Sequence, residues 1–181
     1  MIAIFLAEGF EEIEALTPLD VLRRLKLDVK SVSINNERCV TGAHGISVIA
    51  DLTADELNLD EVDFVIFPGG MPGAKNLDEW ERTDEIINAV TKKGGRLAAI
   101  CAAPMILGKR GLLKGLRACC YPGFENTLIG AKLEYLPSVT DGKITTARGM
   151  GAALDFAEEI VRVLLGEAAA KSISESVIKK G

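Results

Sequence analysis

Strand-like apolar runs and helical stripes alternate along this chain from one end to the other. Runs at 2–6, 29–34, 62–67 and 97–100 read as strands, most of them too apolar to have a solvent face. Between them the period changes from two to about 3.6. A helical stretch follows the first run to about residue 25, with Ile13, Leu16, Leu19 and Leu22 as its inward stripe. Residues 83–93 form a helix with Ile86, Ile87 and Val90 on one face, ended by Gly94-Gly95. Residues 152–165 form a strongly amphipathic helix, with Ala153, Ala157, Ile160, Val161 and Leu164 sharing a face and Gly166 at its end. A last short helix is expected at 172–179. Two stretches break the alternation. Residues 39–51 read as a small antiparallel excursion with turns at Thr41-Gly42 and His44-Gly45, and 117–147 hold short strands, one at 143–146.

Strand–helix alternation predicts an α/β fold, with a mostly parallel sheet and helices on both faces. The length of 181 residues suits one domain over 1–181. In open parallel sheets the ligand crevice lies beyond the carboxyl ends of the strands. Three segments should meet at that edge: 7–14, 68–73 and Cys101.

Cys101 stands between the apolar run 97–100 and a helix start at 102–107. Pro104 suits the first helical turn, where its missing N–H would be unpaired in any case. The small residues Ala99, Ala102 and Ala103 permit a sharp turn. A cysteine there projects above the sheet edge as a nucleophile does on an elbow. Backbone N–H groups and the helix dipole are expected to favour its thiolate. The bland alternative is a small buried hydrophobe.

Four glutamates follow the first strand. Pro18 lies four residues after Glu14 and in a helix would clash with the Glu14 carbonyl, which predicts irregular backbone there. The inward stripe places Glu14 on a flank near the core, where burial raises a carboxyl pKa. A protonated Glu14 beside a thiolate can donate a hydrogen bond or move a proton. Glu8, Glu11 and Glu12 read as a solvated acidic cluster at a helix start. The turn Pro68-Gly69-Gly70-Met71-Pro72-Gly73 offers backbone donors for an oxyanion, or is an ordinary strand-to-helix turn. It matches neither a P-loop nor a dinucleotide fingerprint.

Composition narrows the partners. The chain is 48% hydrophobic and 26% charged, with a formal net charge of −5. Scattered basic residues argue against nucleic acid, and no apolar run approaches a bilayer span. The first residues lack a basic signal-peptide region, so a cytoplasmic location is expected. Four cysteines without CxxC spacing and a single histidine make a zinc site improbable, so no metal is expected. Cys119 and Cys120 are adjacent and should face opposite ways in a strand.

Five segments together carry a specific pattern: GFEEIEA (9–15), TPLDVLRR (17–24), FPGGMPGAKNL (67–77), AAICAAP (98–104) and TARGMG (146–151). With them the chain resembles the ThiJ/PfpI superfamily over residues 1–166, in the branch of the Parkinson-disease-associated protein deglycase and bacterial YajL. The resemblance implies a flavodoxin-like sandwich, a homodimer, a nucleophilic Cys101 on a strained elbow and a protonated Glu14 beside it. It assigns backbone donation to Gly70 and Ala102, and site lining to Gly69, Tyr121, Arg148 and Gly149. One departure stands out. That branch carries a His-Pro pair near the cysteine, and this chain has Tyr121-Pro122. Tyrosine, with a pKa of about 10, is a poor base at neutral pH. Ala102 occupies the position where the protease-like branch has histidine, and His44 precedes the cysteine rather than following it. His44 is expected at a surface or subunit contact.

The function implied is a cysteine-dependent glyoxalase or deglycase acting without a cofactor on small 2-oxoaldehydes or their glycated adducts. The alternative is a redox-responsive, chaperone-like protein of oxidative stress that senses oxidation through Cys101. Cysteine peptidase and non-catalytic dimeric module rank below both.

Overall fold

The computed structural model describes residues 1–179. The expected domain boundary of 1–181 ends on residues 180 and 181, which lie outside the described residues. The strands are β1 (Ile2–Leu6), β2 (Val29–Ser33), β3 (Cys39–Thr41), β4 (Ser47–Ile49), β5 (Leu52–Thr53), β6 (Phe64–Phe67), β7 (Arg96–Ile100), β8 (Arg117–Ala118), β9 (Lys132–Leu133), β10 (Ser138–Asp141) and β11 (Ile144–Ala147). The helices are α1 (Glu12–Arg24), α2 (Gly73–Glu79), α3 (Thr83–Lys92), α4 (Pro104–Lys109), α5 (Ala153–Leu165) and α6 (Glu167–Ser176).

Seven strands form one sheet in the order β10-β11-β7-β6-β1-β2-β5. Every neighbouring pair is parallel except the hairpin β10–β11. Alternating side chains of the central strands feed two cores. Phe5, Val65, Phe67 and Leu97 pack with Leu77, Ile86, Val90 and Ile106 on one face. Ile4, Leu6, Ile66 and Ile100 pack with Leu22, Phe156, Ile160 and Val161 on the other. Each such side chain, fully buried, contributes about 1.5–3 kcal/mol. This is the α/β sandwich expected from the pattern. Among the described residues no helix is long and apolar enough to cross a membrane.

Three readings need correction, and one helix was missed. The inward face of α1 is Glu14, Ala15, Pro18, Val21 and Leu22, whereas Ile13 is 47% exposed and Leu16 and Leu19 are half-buried. The stripe is thus rotated by about one residue, because the sheet edge takes Glu14 and Pro18 inward. The helix also runs unbroken through Pro18. The last helix spans Glu167–Ser176, earlier than 172–179, because Gly166 ends α5 and starts α6 at one point. Helix α2, directly after the Gly-rich turn, had no distinct apolar stripe to announce it. The excursion at 39–51 is the antiparallel hairpin β3–β4.

Candidate active site

Strands β1, β6, β7 and β11 run side by side and end at one edge of the sheet. The segments that follow them therefore meet. After β7, Cys101 turns into the left-handed region at φ +65°, rare for a residue with a side chain. The surroundings hold it there. Its N–H donates to the Ala147 carbonyl at 2.9 Å, and its carbonyl accepts from the Tyr121 N–H at 2.8 Å. Such strain costs of order 1–3 kcal/mol and persists where neighbours over-determine it. All four cysteines are free thiols.

The Gly-rich turn after β6 packs on the loop after β1. The Glu11 N–H donates to the Gly69 carbonyl at 2.9 Å, and the Gly73 N–H donates to the Gly9 carbonyl at 3.0 Å. Gly69 has no room for a side chain, since a Cβ would stand 2.5 Å from Glu14 Oε2 and 2.6 Å from the Cys101 Cβ. Gly70, at φ +85°, would drive a Cβ into the backbone of Phe10 and Glu11.

Glu14 is 1% exposed. Its Oε2 accepts the Gly69 N–H at 3.0 Å, while Oε1 is buried without a hydrogen bond. The carboxyl lies against Cys101. Burial pushes its pKa up from 4.5 to about 7, and the charge of Glu11 adds to the push. The Cys101 thiol goes up to about 12, by burial first and then by the facing Glu14 carboxylate. The backbone N–H groups of Gly70 and Ala102 pull the other way. The expectation that the elbow alone favours the thiolate is therefore corrected. With Glu14 ionised, desolvation and like charge outweigh two backbone donors. Near neutral pH the Glu14 carboxyl therefore exchanges its proton readily while the sulfur keeps its own, and a proton passed from sulfur to an ionised Glu14 removes the opposing carboxylate.

The elements thus bring together Cys101, Glu14, Gly69, Gly70 and Ala102. Gly149 closes one side: a Cβ there would lie 3.9 Å from Glu14 Oε1 and 3.2 Å from the Tyr121 ring. Tyr121 is 50% exposed and touches the site through its backbone and ring edge. Arg148 lies further out, in a cleft of about 560 Å³ that Tyr121, Pro122, Tyr135, Pro137 and Gly149 also line. Tyr135 and Pro137 escaped the sequence reading because nothing in their spacing links them to residue 101.

The acidic cluster is not simply solvated. Glu11 caps α1, its carboxylate accepting the Glu14 N–H at 2.7 Å. Glu12 is 2% exposed beneath the β3–β4 hairpin, where Oε1 accepts the His44 N–H at 2.8 Å and Oε2 meets His44 Nδ1 at 2.8 Å. Glu8 is exposed and accepts the Thr41 N–H. His44 itself is exposed, as expected, and outside the site.

The chain is similar to known proteins along most of its length. The profile of the DJ-1/PfpI family matches residues 1–163. DJ-1 homolog B of Arabidopsis thaliana is 34% identical over 181 residues, which cover 99% of this chain but 41% of the plant protein. The chain thus spans less than half the length of that relative. Deglycase PfpI of Pyrococcus furiosus is 34% identical over 161 residues, covering 87% of this chain and 95% of that one. The structure of oxidized Toxoplasma gondii DJ-1 superposes with a TM-score of 0.93 at 30% identity, covering 98% of this chain and 97% of that one. The family profile spans nearly the whole chain and the fold superposes throughout, and the chain belongs to the DJ-1/PfpI family.

Proposed function

We propose that this protein is a cysteine-dependent, cofactor-independent glyoxalase or deglycase acting on small 2-oxoaldehydes or their adducts. One observation carries the reading. A buried carboxyl with an unpaired oxygen and a pKa near neutrality lies against a cysteine on a strained elbow. General bases work best with a pKa near the working pH. Glu14 takes the thiol proton, the thiolate adds to the aldehyde carbon, and Glu14 returns the proton to the new alkoxide, giving a hemithioacetal and freeing the carboxylate. The N–H groups of Gly70 and Ala102 stand where developing negative charge is held. Glu14 then moves the proton from the former aldehyde carbon to its neighbour, and water cleaves the resulting thioester to the 2-hydroxy acid. Atoms and electrons balance internally, since one carbon is oxidised as the next is reduced. The name of the Pyrococcus relative, a deglycase, supports the class of reaction.

A second reading, a redox-responsive stress protein, draws on the oxidized state of the Toxoplasma relative. In this reading two equivalents of hydrogen peroxide take the Cys101 thiolate through sulfenic to sulfinic acid, releasing two waters, and a protonated Glu14 donates to the product. Turnover of methylglyoxal to lactate separates the two. Wild type converts it and Cys101→Ser does not; a wild type that accumulates sulfinate yet leaves methylglyoxal untouched defeats the enzymatic reading. We also propose a homodimer, supported by the exposed Ile13, Ile46 and Ile49 on α1 and the hairpin and by the frequency of twofold assembly. Sedimentation at micromolar concentration tests it, and a 19.3 kDa species alone refutes it.

A further inference from the structure

The cleft beside Gly149 and Tyr121 contains a cation that the chemistry at Cys101 does not use. Arg148 is half-buried, yet among the described residues no carboxylate lies within ion-pairing distance of it and its guanidinium makes no hydrogen bond. Three other half-buried arginines are paired: Arg82 with Asp55 and Glu85, Arg110 with Asp78 and Asp84, and Arg162 with Glu158, Glu159 and Glu167. Arg96, also half-buried, has no carboxylate partner but donates to the Gly142 carbonyl at 3.3 Å, a contact Arg148 lacks. The Arg148 guanidinium lies 5.8 Å from the Tyr135 ring centroid, a contact that orients the planar group without neutralising it. Asp155, the carboxylate that lines the same cleft, is engaged by Lys179 Nζ at 2.8 Å.

The chain path ties this cation to the reacting centre. Ala147, which holds the Cys101 N–H, precedes Arg148 directly, and Gly149, which faces Glu14, follows it. Tyr121 lines the cleft and bonds the Cys101 carbonyl. Gly149 and Tyr121 thus border both the cleft and the reacting centre, so the cleft adjoins Cys101 on the side where Arg148 stands. We infer that Arg148 is a specificity-determining residue that receives a carboxylate at the far end of the substrate. The preferred substrates are accordingly acidic 2-oxoaldehydes, or their adducts, rather than neutral ones. A guanidinium fork matches the two oxygens of a planar carboxylate. A single unpaired cation with Asp155 alongside balances a monoanion, not a phosphate of higher charge. The inference deepens the proposed function and rests on it.

The probe pair is 4,5-dioxopentanoate, which carries a terminal carboxylate, and its neutral methyl ester. Both undergo the same internal conversion at the aldehyde end. Wild type is expected to favour the acid in kcat/KM by roughly tenfold or more, the value of one charge-assisted pair of about 1.5–3 kcal/mol. In Arg148→Gln that ratio collapses toward one, and Arg148→Lys restores part of it. Equal loss on acid and ester in Arg148→Gln would mean that the residue only shapes the cleft, and overturns the assignment. So does a wild-type ratio near one, which needs no variant to fold. If wild type converts neither compound nor methylglyoxal, the proposed function fails on its own. Equilibrium binding then decides the site: the monoanion 4-oxopentanoate held by wild type and lost in Arg148→Gln supports it, while no 4-oxopentanoate binding, or inorganic phosphate bound as tightly, overturns it.

Discussion

Glu12 and Glu14 lie two residues apart on the first turn of α1. Both are shielded from solvent, at 2% and 1% exposure, yet they end in opposite states. Burial pushes both pKa values upward. At Glu12 the hairpin answers with the His44 ring and the N–H groups of His44 and Ile46, so its pKa ends below the ordinary value. At Glu14 the protein supplies one backbone N–H, a cysteine and the repulsion of Glu11, and the pKa ends near 7. Burial alone therefore does not make a proton carrier. The count of donors left for the carboxylate does. Glu12 is a fixed anion that pins a hairpin, and Glu14 is a carboxyl kept short of partners.

The sharpest way to break this contrast is to remove the charge at each position. Glu14→Gln keeps the shape but cannot exchange a proton, so turnover should fall by about 10²–10⁴-fold with the fold intact. Glu12→Gln should leave the chemistry nearly unchanged and cost about 1–3 kcal/mol of stability, since N–H groups of the hairpin lose a charged acceptor. Steady-state kinetics and denaturant unfolding on both variants read this directly. An exchange of the two outcomes would reverse the assignment of roles.

A smaller effect concerns pH. Because the folded-state pKa of Glu14 is raised from 4.5 to about 7, the native state binds the extra proton between those values. Stability from this group is then complete below about 4.5 and is lost as pH rises through 7, by on the order of 3 kcal/mol at most. Glu12 has the opposite sign: its stabilisation is present above the ordinary carboxylate range and is lost as pH falls through its lowered value. Unfolding free energies at pH 5 and pH 8 should show Glu14→Gln gaining on wild type at the higher pH. A parallel pair of profiles would show that Glu14 titrates normally.

The smallest effect belongs to His44. Its pKa is raised by the Glu12 carboxylate, so its contribution is present below its unfolded value and lost as pH rises through the folded one. His44→Ala should lower the melting temperature slightly at pH 6 and less at pH 8, with turnover unchanged. A large loss of turnover would place the hairpin in the active site.

Much of this was legible in the chain. The apolar runs and their small-residue turn located Cys101, and the Gly-rich turn located the neighbouring loop. Glu14 was within reach of sequence reasoning because the helix stripe put it near the core. The stripe itself was misread by about one residue. Apolar periodicity favours Ile13, Leu16 and Leu19 as inward, but the sheet edge takes a carboxyl, an alanine and a proline there instead. The burial of Glu12 was not legible at all, since its donors come from a hairpin 32 residues further along. Arg148 was found only through a family motif, and its lack of an ionic partner is a property of packing that no spacing encodes.

The carboxyl of Glu14 and the Gly69 amide that grips it are 55 positions apart in the chain, and neither strand before them pairs until the parallel sheet closes. Until β1, β6 and β7 lie side by side, Cys101 is a thiol on a flexible chain, without a fixed acid or aligned amides. Newly made, nicked or partly melted copies should therefore be chemically quiet toward carbonyls, and activity should be lost at the first step of unfolding, before the helices melt. Catalysis in this protein would serve as a direct report of its tertiary integrity.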